Sequence, residues 1–342
     1  MVRKIRVLIV DDSMLFREVL LRGLSSDPEI EVVATANDPY DARDKIISTK
    51  PDVMTCDVEM PKMNGLEFIQ RLMPQYPLPI IVVSSTSGTV FEAMNAGAVD
   101  FVGKPDLSSV NSVENFINDL IGKIKIASNA KVVNVGEAAP GKKIVSNEVA
   151  GKGKIIAIGA STGGTEAIYT VLKGLPADIP GIVIVQHIPP NFSRMFAERL
   201  NAQTSLSVKE AKTGDYVERG HVLIAPGDQH MIIRHVGGRY RVECFEGDKV
   251  NGHCPSVDVL FESVAKEAGK NAVGVILTGM GYDGAKGLMS MRRKGARTLG
   301  QDEKSCVVYG MPKVAFNIGA VEKQSSVDNM AYSIYKMLIE GK

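Results

Sequence analysis

Long apolar runs are missing from this 342-residue chain, and nothing in it approaches the ~18 apolar residues of a membrane span. Cysteine is scarce. Cys56, Cys244, Cys254 and Cys306 form no C-x-x-C pair and no spacing typical of zinc, which argues against a disulfide framework and suits a reducing cytosol. Charge of one sign is not in excess: 40 Lys plus Arg stand against 39 Asp plus Glu, and a net charge of +1 predicts neither a nucleic-acid nor a membrane partner. Internal repeats and low-complexity tracts are absent as well. The opening "MVRKIRVLIVDD" begins with basic residues, but its apolar run is too short for a signal segment and ends in two acids.

What is present is an ordinary globular composition, 44% hydrophobic and 23% charged, over a length that favours two domains with a core each. The first ~120 residues alternate short apolar runs with amphipathic stretches, as βαβ units around a parallel sheet do. Five strands are predicted there: Arg6 to Val10, Glu31 to Thr35, Val53 to Cys56, Pro79 to Val83, and Phe101 to Val102. Between Lys125 and Lys152 the period fails, and "GEAAPGKK" and "VAGKGK" read as linker; Val132, Val133 and Val135 are its candidates for packing on a domain. The expected division is therefore 1–124, a linker 125–152, and 153–342. In the last segment "KIIAIGA", "GIVIVQHI", "HVLIAPG", "HMIIRH", "YRVECFE" and "AVGVILTGM" read as strands. Thr165 to Lys173, Arg194 to Leu200, Val257 to Ala268 and Ala285 to Lys294 read as helices. This predicts a second, largely parallel α/β domain, interrupted by a β-hairpin that turns at Gly237 and Gly238.

In the first half Asp11, Asp12 and Asp57 fall at the carboxyl ends of two predicted strands, where open α/β sheets place their ligand sites. Clustered carboxylates repel unless a cation shares them, and hard oxygens suit Mg²⁺, which also bridges phosphoryl oxygens. Ser84 adds a hydroxyl at a fourth strand end, and Lys104 adds a compact cation. The outline is that of a phosphoryl-accepting site.

In the second half "GASTG", Gly159 to Gly163, fits the G-x-S-x-G turn that projects a nucleophilic serine, here Ser161. A glycine-rich strand-to-helix turn also binds phosphate, so the pentapeptide alone leaves both readings open. A nucleophile needs a base and an orienting acid at the same sheet edge. His187 ends the strand "GIVIVQ", and Asp283 follows "AVGVILTG". His230 rivals His187, and Asp228 rivals Asp283; His221 and His235 read as structural or solvated. The order Ser161, His187, Asp283 differs from the nucleophile, acid, histidine order of α/β-hydrolases, so that assignment does not transfer.

Two resemblances follow from these motifs. "VLIVDDS", "DVEMPKMNGLEF", "PIIVVSS" and "GAVDFVGKP" resemble the receiver domain of bacterial response regulators. That resemblance implies Asp57 as phosphoacceptor, Asp12, Asp57 and the carbonyl of Glu59 as Mg²⁺ ligands with Asp11 acting through water, and Ser84 and Lys104 as switch residues. "SSTSGTVFEAMNA" is shorter than usual between Ser84 and Gly97, which predicts a short fourth helix. "AIGASTGG", "VQHIPPNF", "LIAPGDQHM", "PSVDVLF" and "LTGMGYDGAKGL" resemble the catalytic domain of the chemotaxis protein-glutamate methylesterases, the CheB family. This implies Ser161 as nucleophile, His187 as base and acid, Asp283 as its orienter, and the amides of Thr162 and Met280 as oxyanion donors, with no cofactor in this half.

The implied substrate is a glutamate methyl ester, or a glutamine side chain, on a methyl-accepting chemoreceptor. The implied phosphodonor is the chemotaxis histidine kinase, and the implied location is the cytoplasm, with no membrane insertion. By the same resemblance the unphosphorylated receiver covers the serine site, with Phe91, Met94 and Phe101 as candidate covering residues. The competing reading is a non-enzymatic regulator whose receiver controls a phosphate- or nucleotide-binding domain. No Walker lysine follows "GASTGG", and Glu166 lies near the helix start in its place.

Overall fold

The computed structural model describes residues 3–61, 63–85, 87–132, 144, 151 and 153–340. It divides into two units, Met1–Glu137 and Ala138–Lys342.

In the first unit β1 (Ile5–Val10), β2 (Ile30–Ala36), β3 (Val53–Asp57), β4 (Ile80–Ser84) and β5 (Asp100–Gly103) alternate with α1 (Met14–Ser25), α2 (Pro39–Thr49), α3 (Gly65–Leu72), α4 (Ser87–Asn95) and α5 (Val110–Ala127). The strands pair in parallel in the order β2-β1-β3-β4-β5. The residues of the central β3 and β4 are buried on both faces, which is why these strands read as continuous apolar runs, whereas the edge strand β2 is largely half-buried. Side-chain caps set the helix starts: Ser13 accepts from the Phe16 amide, Asp38 from Tyr40 and Asp41, and Asn64 from Glu67. α4 is nine residues long, short as the sequence predicts. Phe91 and Phe101 are buried and meet edge to face at 5.9 Å, and Met94 is buried as well. One boundary differs from the expectation: α5 runs through Ala127, so residues 125–127 are helix and not linker. The reason is that Ile124 and Ala127 continue its buried stripe. Val132 is half-buried; Val133 and Val135 lie outside the described residues.

The second unit carries β6 (Ile155–Ala160), α6 (Gly164–Lys173), β7 (Ile182–Gln186), α7 (Phe192–Gln203), β8 (Ser207–Glu210), β9 (His221–Ile224), β10 (His230–Val236) and β11 (Arg239–Phe245). It continues with α8 (Val257–Glu267), β12 (Ala272–Ile276), α9 (Ala285–Arg293), β13 (Arg297–Gln301), α10 (Met311–Asn317), β14 (Lys323–Ser325) and α11 (Val327–Ile339). Seven strands form a parallel sheet in the order β14-β13-β12-β6-β7-β9-β8, and β10 with β11 forms the hairpin. Gly237 and Gly238 turn it with φ of 58° and 79°, as a two-residue turn between twisted strands requires. β8, β13, β14, α10 and α11 are elements the sequence reading does not contain.

From β6 the chain passes first to β7 and β9 on one side, then to β12, β13 and β14 on the other. The carboxyl ends of β6 and β12 therefore flank the point where the strand order reverses. α8 packs over β6, with Val257, Leu260, Phe261 and Val264 in one core with Ile155 and Ala157. Gly159 permits that approach, since a Cβ there would stand 2.1 Å from Val257 Cγ1 and 3.2 Å from Phe261. Gly159→Ala is therefore expected to lower the unfolding free energy of the full chain by about 1–3 kcal/mol in urea titration, because α8 has to move off the strand. An unchanged midpoint would show that α8 is not seated against β6.

Candidate functional site

In the first unit the reversal point lies between β1 and β3, and their ends bring three carboxylates together. One ligand oxygen from each of Asp11, Asp12 and Asp57 fits within 4.8 Å, with Asp11 and Asp57 buried and Asp12 exposed. Lys104, at the end of β5, places Nζ 2.6 Å from Asp57 Oδ2 and 2.8 Å from Asp11 Oδ2. Burial pushes the Asp57 carboxyl above its ordinary value, against the pull of Lys104 and of the Glu59 amide, which donates to Oδ1 at 3.1 Å. Burial also works against the Lys104 ammonium, but the two carboxylates more than offset it and hold it above the ordinary lysine value. Ser84 is fully buried at the end of β4, and its carbonyl accepts from the Lys104 amide. Glu59 is exposed, with its side chain accepting from Ser85 Oγ at 2.9 Å. One ammonium does not neutralise three carboxylates. The residual oxygen set suits a small divalent cation, with Asp11, Asp12 and Asp57 as the side chains to hold it.

Gly65, which opens α3, is needed for another reason. A Cβ on it would stand 2.0 Å from the Asp57 carbonyl oxygen. The glycine of "KMNG" therefore lets the helix start against the strand end that carries the buried carboxylate.

In the second unit Ser161, His187 and Asp283 follow the ends of β6, β7 and β12, three adjacent strands. The His187 amide donates to the carbonyl of Ala160, the residue before Ser161, and the Ser161 amide donates to the Thr278 carbonyl. Gln186 braces the two loops, its Nε2 donating to the carbonyls of Ser161 and His187 at 2.9 and 3.0 Å. His187 Nε2 lies 2.9 Å from Asp283 Oδ2. Its Nδ1 is buried with no hydrogen-bond partner among the described residues.

Asp283 is 2% exposed, and its carboxylate sits at the start of α8. It accepts from the Val257 amide at 2.7 Å, the Asp258 amide at 3.2 Å, Ser256 Oγ at 2.8 Å and Asn251 Nδ2 at 2.8 Å, besides His187. Burial alone would raise its pKa, but the His187 contact, the Asn251 and Ser256 hydrogen bonds and the charge of His187 hold it well below the carboxylate range. An ionised Asp283 only accepts, so the shared proton belongs to His187 Nε2 and the lone pair to Nδ1. This tautomer leaves Nδ1 with its lone pair uncommitted to any hydrogen bond among the described residues.

The loop after β12 runs against Ser161. A Cβ on Gly279 would lie 2.6 Å from Ser161 Cβ. Residues 308–311 pin that loop: Gly279 donates to the Val308 carbonyl, and its own carbonyl accepts from the Gly310 and Met311 amides. The Met280 amide donates to no backbone carbonyl among the described residues, and its side chain is 49% exposed. Thr162 is buried in the turn into α6, with its carbonyl accepting from Thr278 Oγ1 at 3.0 Å. Gly163 makes that turn possible with φ of 74°.

The rival residues fall elsewhere. His230 spends both nitrogens on the backbone, Nε2 on the Asp248 carbonyl at 2.9 Å and Nδ1 on the Ser256 amide at 3.2 Å. It thus braces the residue that starts α8 and faces neither Ser161 nor Asp283. Asp228 is exposed in a left-handed turn, with φ of 61°. His221 Nδ1 bonds the Arg219 carbonyl, and His235 packs on Tyr240. Glu166 is tied to Arg199 by contacts of 2.7 and 3.2 Å, so the first turn of α6 carries a paired anion rather than a cation for phosphate. Three residues at the site have no role in the sequence reading: Asn251, His253 and Ser256. Ser256 was within reach, since a serine directly before an apolar helical pattern is a cap signal.

Residues 156–334 match the family model described as CheB methylesterase, and residues 7–111 match the response regulator receiver domain. A protein of Syntrophomonas wolfei subsp. wolfei named protein-glutamate methylesterase/protein-glutamine glutaminase 2 is 58% identical, over 98% of each chain. A protein of Syntrophotalea carbinolica named protein-glutamate methylesterase/protein-glutamine glutaminase is 52% identical, over 100% of each. Among solved structures, the CheB methylesterase catalytic domain of Thermotoga maritima is similar with a TM-score of 0.53 and 36% identity, covering 54% of this chain and 98% of its own.

The depressed Asp283 carboxyl makes a pH prediction. A group whose folded pKa lies below its unfolded one contributes stability that is present above the unfolded value, near 4, and lost as pH falls through the folded value. Asp283→Asn keeps the shape but sets an NH₂ among donors, so at pH 7 its urea midpoint is expected well below wild type, by about 2–4 kcal/mol. That gap should narrow between pH 4 and pH 2. A gap independent of pH would mean that Asp283 is not ionised in the folded protein.

Proposed function

The chain belongs to the CheB methylesterase family, and from that premise we propose a receiver-regulated protein-glutamate methylesterase and glutaminase whose catalytic group is Ser161, activated by His187 and oriented by Asp283. It is an enzyme of chemotaxis, acting on chemoreceptor glutamates under the control of a histidine kinase. The observation that carries the site assignment is the buried, unpartnered His187 Nδ1 beside the Ser161 loop, with Nε2 tied to a depressed carboxylate. His230, the rival base, spends both ring nitrogens on the backbone instead.

Ser161 Oγ attacks the carbonyl carbon of a glutamate γ-methyl ester, and its proton passes to His187 Nδ1. The imidazolium formed is stabilised by Asp283 across the 2.9 Å contact. The oxyanion lies against the Thr162 and Met280 amides, placed by the Gly163 turn and by the pinned Gly279 loop. The bond to the methoxy oxygen breaks as Nδ1 returns the proton, and methanol leaves. Water then enters and gives a proton to Nδ1 as its oxygen bonds the acyl carbon; the bond to Ser161 Oγ breaks as Nδ1 returns the proton to Oγ, which frees the glutamate. With a glutamine side chain the same steps release ammonia. The substrates are methyl-accepting chemoreceptors.

For regulation, Asp57 is the phosphoacceptor and the chemotaxis histidine kinase the donor. Asp12, Asp57 and the Glu59 carbonyl would hold Mg²⁺, with Asp11 helping through water, and the ion would offset the charge of the phosphoryl oxygens. Lys104 pairs with the phosphoryl group once Asp57 carries it, and the buried Ser84 hydroxyl reads its presence. Phosphorylation then shifts the receiver's population and with it the esterase rate. Four free cysteines and the balanced charge support a cytoplasmic location.

Ser161→Ala is expected to lower methanol release from methyl-esterified chemoreceptor by about 10³-fold or more at unchanged thermal stability. Release at the wild-type rate would remove the enzymatic assignment. In the receiver, Mg²⁺ should raise the thermal midpoint of the wild-type chain, and Asp12→Asn should abolish most of that rise. Equal rises in both would place the cation elsewhere.

A further inference from the structure

The segment "VNGH", Val250 to His253, is a two-residue turn. The Val250 amide donates to the His253 carbonyl, and the His253 amide donates to the Val250 carbonyl, both at 3.0 Å. Asn251 and Gly252 occupy the two central positions with φ of 52° and 84°. An Asn-Gly pair is what such a turn demands, because both central residues are left-handed. The turn sends its two functional side chains to the two members of the acid–base pair. Asn251 Nδ2 donates to Asp283 Oδ1 and to Asp258 Oδ2, each at 2.8 Å. The His253 ring lies flat on the His187 ring, with centroids 3.7 Å apart and planes 11° from parallel.

We propose that this turn is a clamp on the catalytic pair, with Asn251 and His253 as positioning residues that fix the Asp283 carboxylate and the His187 ring for proton transfer. The inference rests on the assignment of Ser161, His187 and Asp283 above. Three contacts define the His187 ring plane: Nε2 to Asp283, the braced backbone, and the His253 face. Without the stack the ring is free to rotate about its bond to the carboxylate, and Nδ1 loses its aim at the serine loop. A ring placed by stacking loses little of this when another planar aromatic replaces His253, whereas a small side chain loses it all. Asn251 supplies the carboxylate with a neutral donor. A carboxylate in its place would set a further negative charge beside Asp283 and favour the imidazolium, which raises the pH at which His187 becomes a base.

The titratable groups that face the pair are His253 on the ring, Asp258 through Asn251, and Glu262 acting on Asp258. Burial pushes Asp258 up, and Glu262 adds to that, so a new carboxylate at position 251 meets two acidic neighbours, Asp258 and Asp283.

The test uses the full chain, methyl-esterified chemoreceptor and four variants. His253→Ala is expected to lower kcat about tenfold with KM unchanged, and His253→Phe to recover most of that loss. Asn251→Asp is expected to move the acid limb of the kcat profile upward by about one pH unit. Ser161→Ala separates the two levels. If it is inactive while His253→Ala keeps wild-type kcat, or Asn251→Asp keeps the wild-type acid limb, the clamp is wrong and the catalytic assignment stands. If Ser161→Ala is active, the assignment itself fails. Should His253→Ala unfold, His253→Phe and Asn251→Asp still decide: a kcat in the Phe variant as low as that of Asp283→Asn would overturn the stacking role.

Discussion

The carboxylate of Asp283, buried at the start of α8, is the interaction on which the catalytic unit depends. An anion that is 2% exposed is costly unless its oxygens are saturated, and here five donors surround it: two helix amides, a serine hydroxyl, an asparagine amide and an imidazole. The two amides are available because first-turn N–H groups have no partner inside a helix, and the helix dipole favours a negative charge there. The carboxylate thus caps the helix as much as the helix holds the carboxylate. Stability and orientation are one interaction, so α8 has to reach the strand end, and Gly159 and Gly284 are the positions where a Cβ would strike Val257 and prevent it.

Both units use the crevice at the carboxyl ends of a parallel sheet, but they leave opposite electrostatic situations there. In the first, Asp11 and Asp57 share the Lys104 ammonium at 2.8 and 2.6 Å, and the exposed Asp12 stands beside them. That cluster has unspent oxygen ligands and calls for a cation. In the second, both Asp283 oxygens are saturated by donors, which leaves nothing for a metal and fixes the group as an orienter. Carboxylates at strand ends therefore do different work according to how many donors the surrounding loops supply.

The sequence made the strand ends legible, and with them most of the site, because doubly buried parallel strands are unbroken apolar runs that stop at the crevice. Ser161, His187, Asp283, Asp11, Asp57, Ser84 and Lys104 are visible for that reason. β13 was not, since "RTLGQ" is polar in composition. It is buried because Thr298 donates to the Ala320 carbonyl and Gln301 joins the Thr278 amide to the Ser305 carbonyl. α10 has Pro312 as its second residue and spans only seven residues, too few for a period to show. The expectation that the linker begins at residue 125 failed because the amphipathic stripe of α5 ends on isoleucine and alanine, which composition alone does not separate from a linker. Asn251 and His253 were illegible for a stronger reason. An Asn-Gly turn is a local signal, but where its side chains land is decided by partners distant in the chain, Asp283 for Asn251, 32 residues on, and His187 for His253, far upstream.

The orientation of His187 follows from the strand order. His187 comes directly after β7, and its amide is bonded to the carbonyl of Ala160, one residue before the nucleophile. Its backbone is therefore already beside the serine loop, while Asp283 stands beyond β6 at the end of β12. Nδ1 is the ring nitrogen nearer the backbone, and Nε2 is the one at the tip. A short tether near the serine and a distant acid leave only the tip nitrogen able to span to the carboxylate, and Nδ1 is the nitrogen left for the base role proposed above. The glycines of "GASTGG" then have assigned tasks: Gly159 admits α8, Gly163 turns the chain with a positive φ, and Gly164 makes room for the Gln186 carboxamide that braces both loops, whose oxygen would lie 2.1 Å from a Cβ there. The Gly163 turn would suit a phosphate loop as well, but the Gly159 approach seats the helix that holds Asp283 and the Gly164 approach seats the brace on the His187 loop, so these two serve a serine set between a histidine on one flanking strand and an acid on the other.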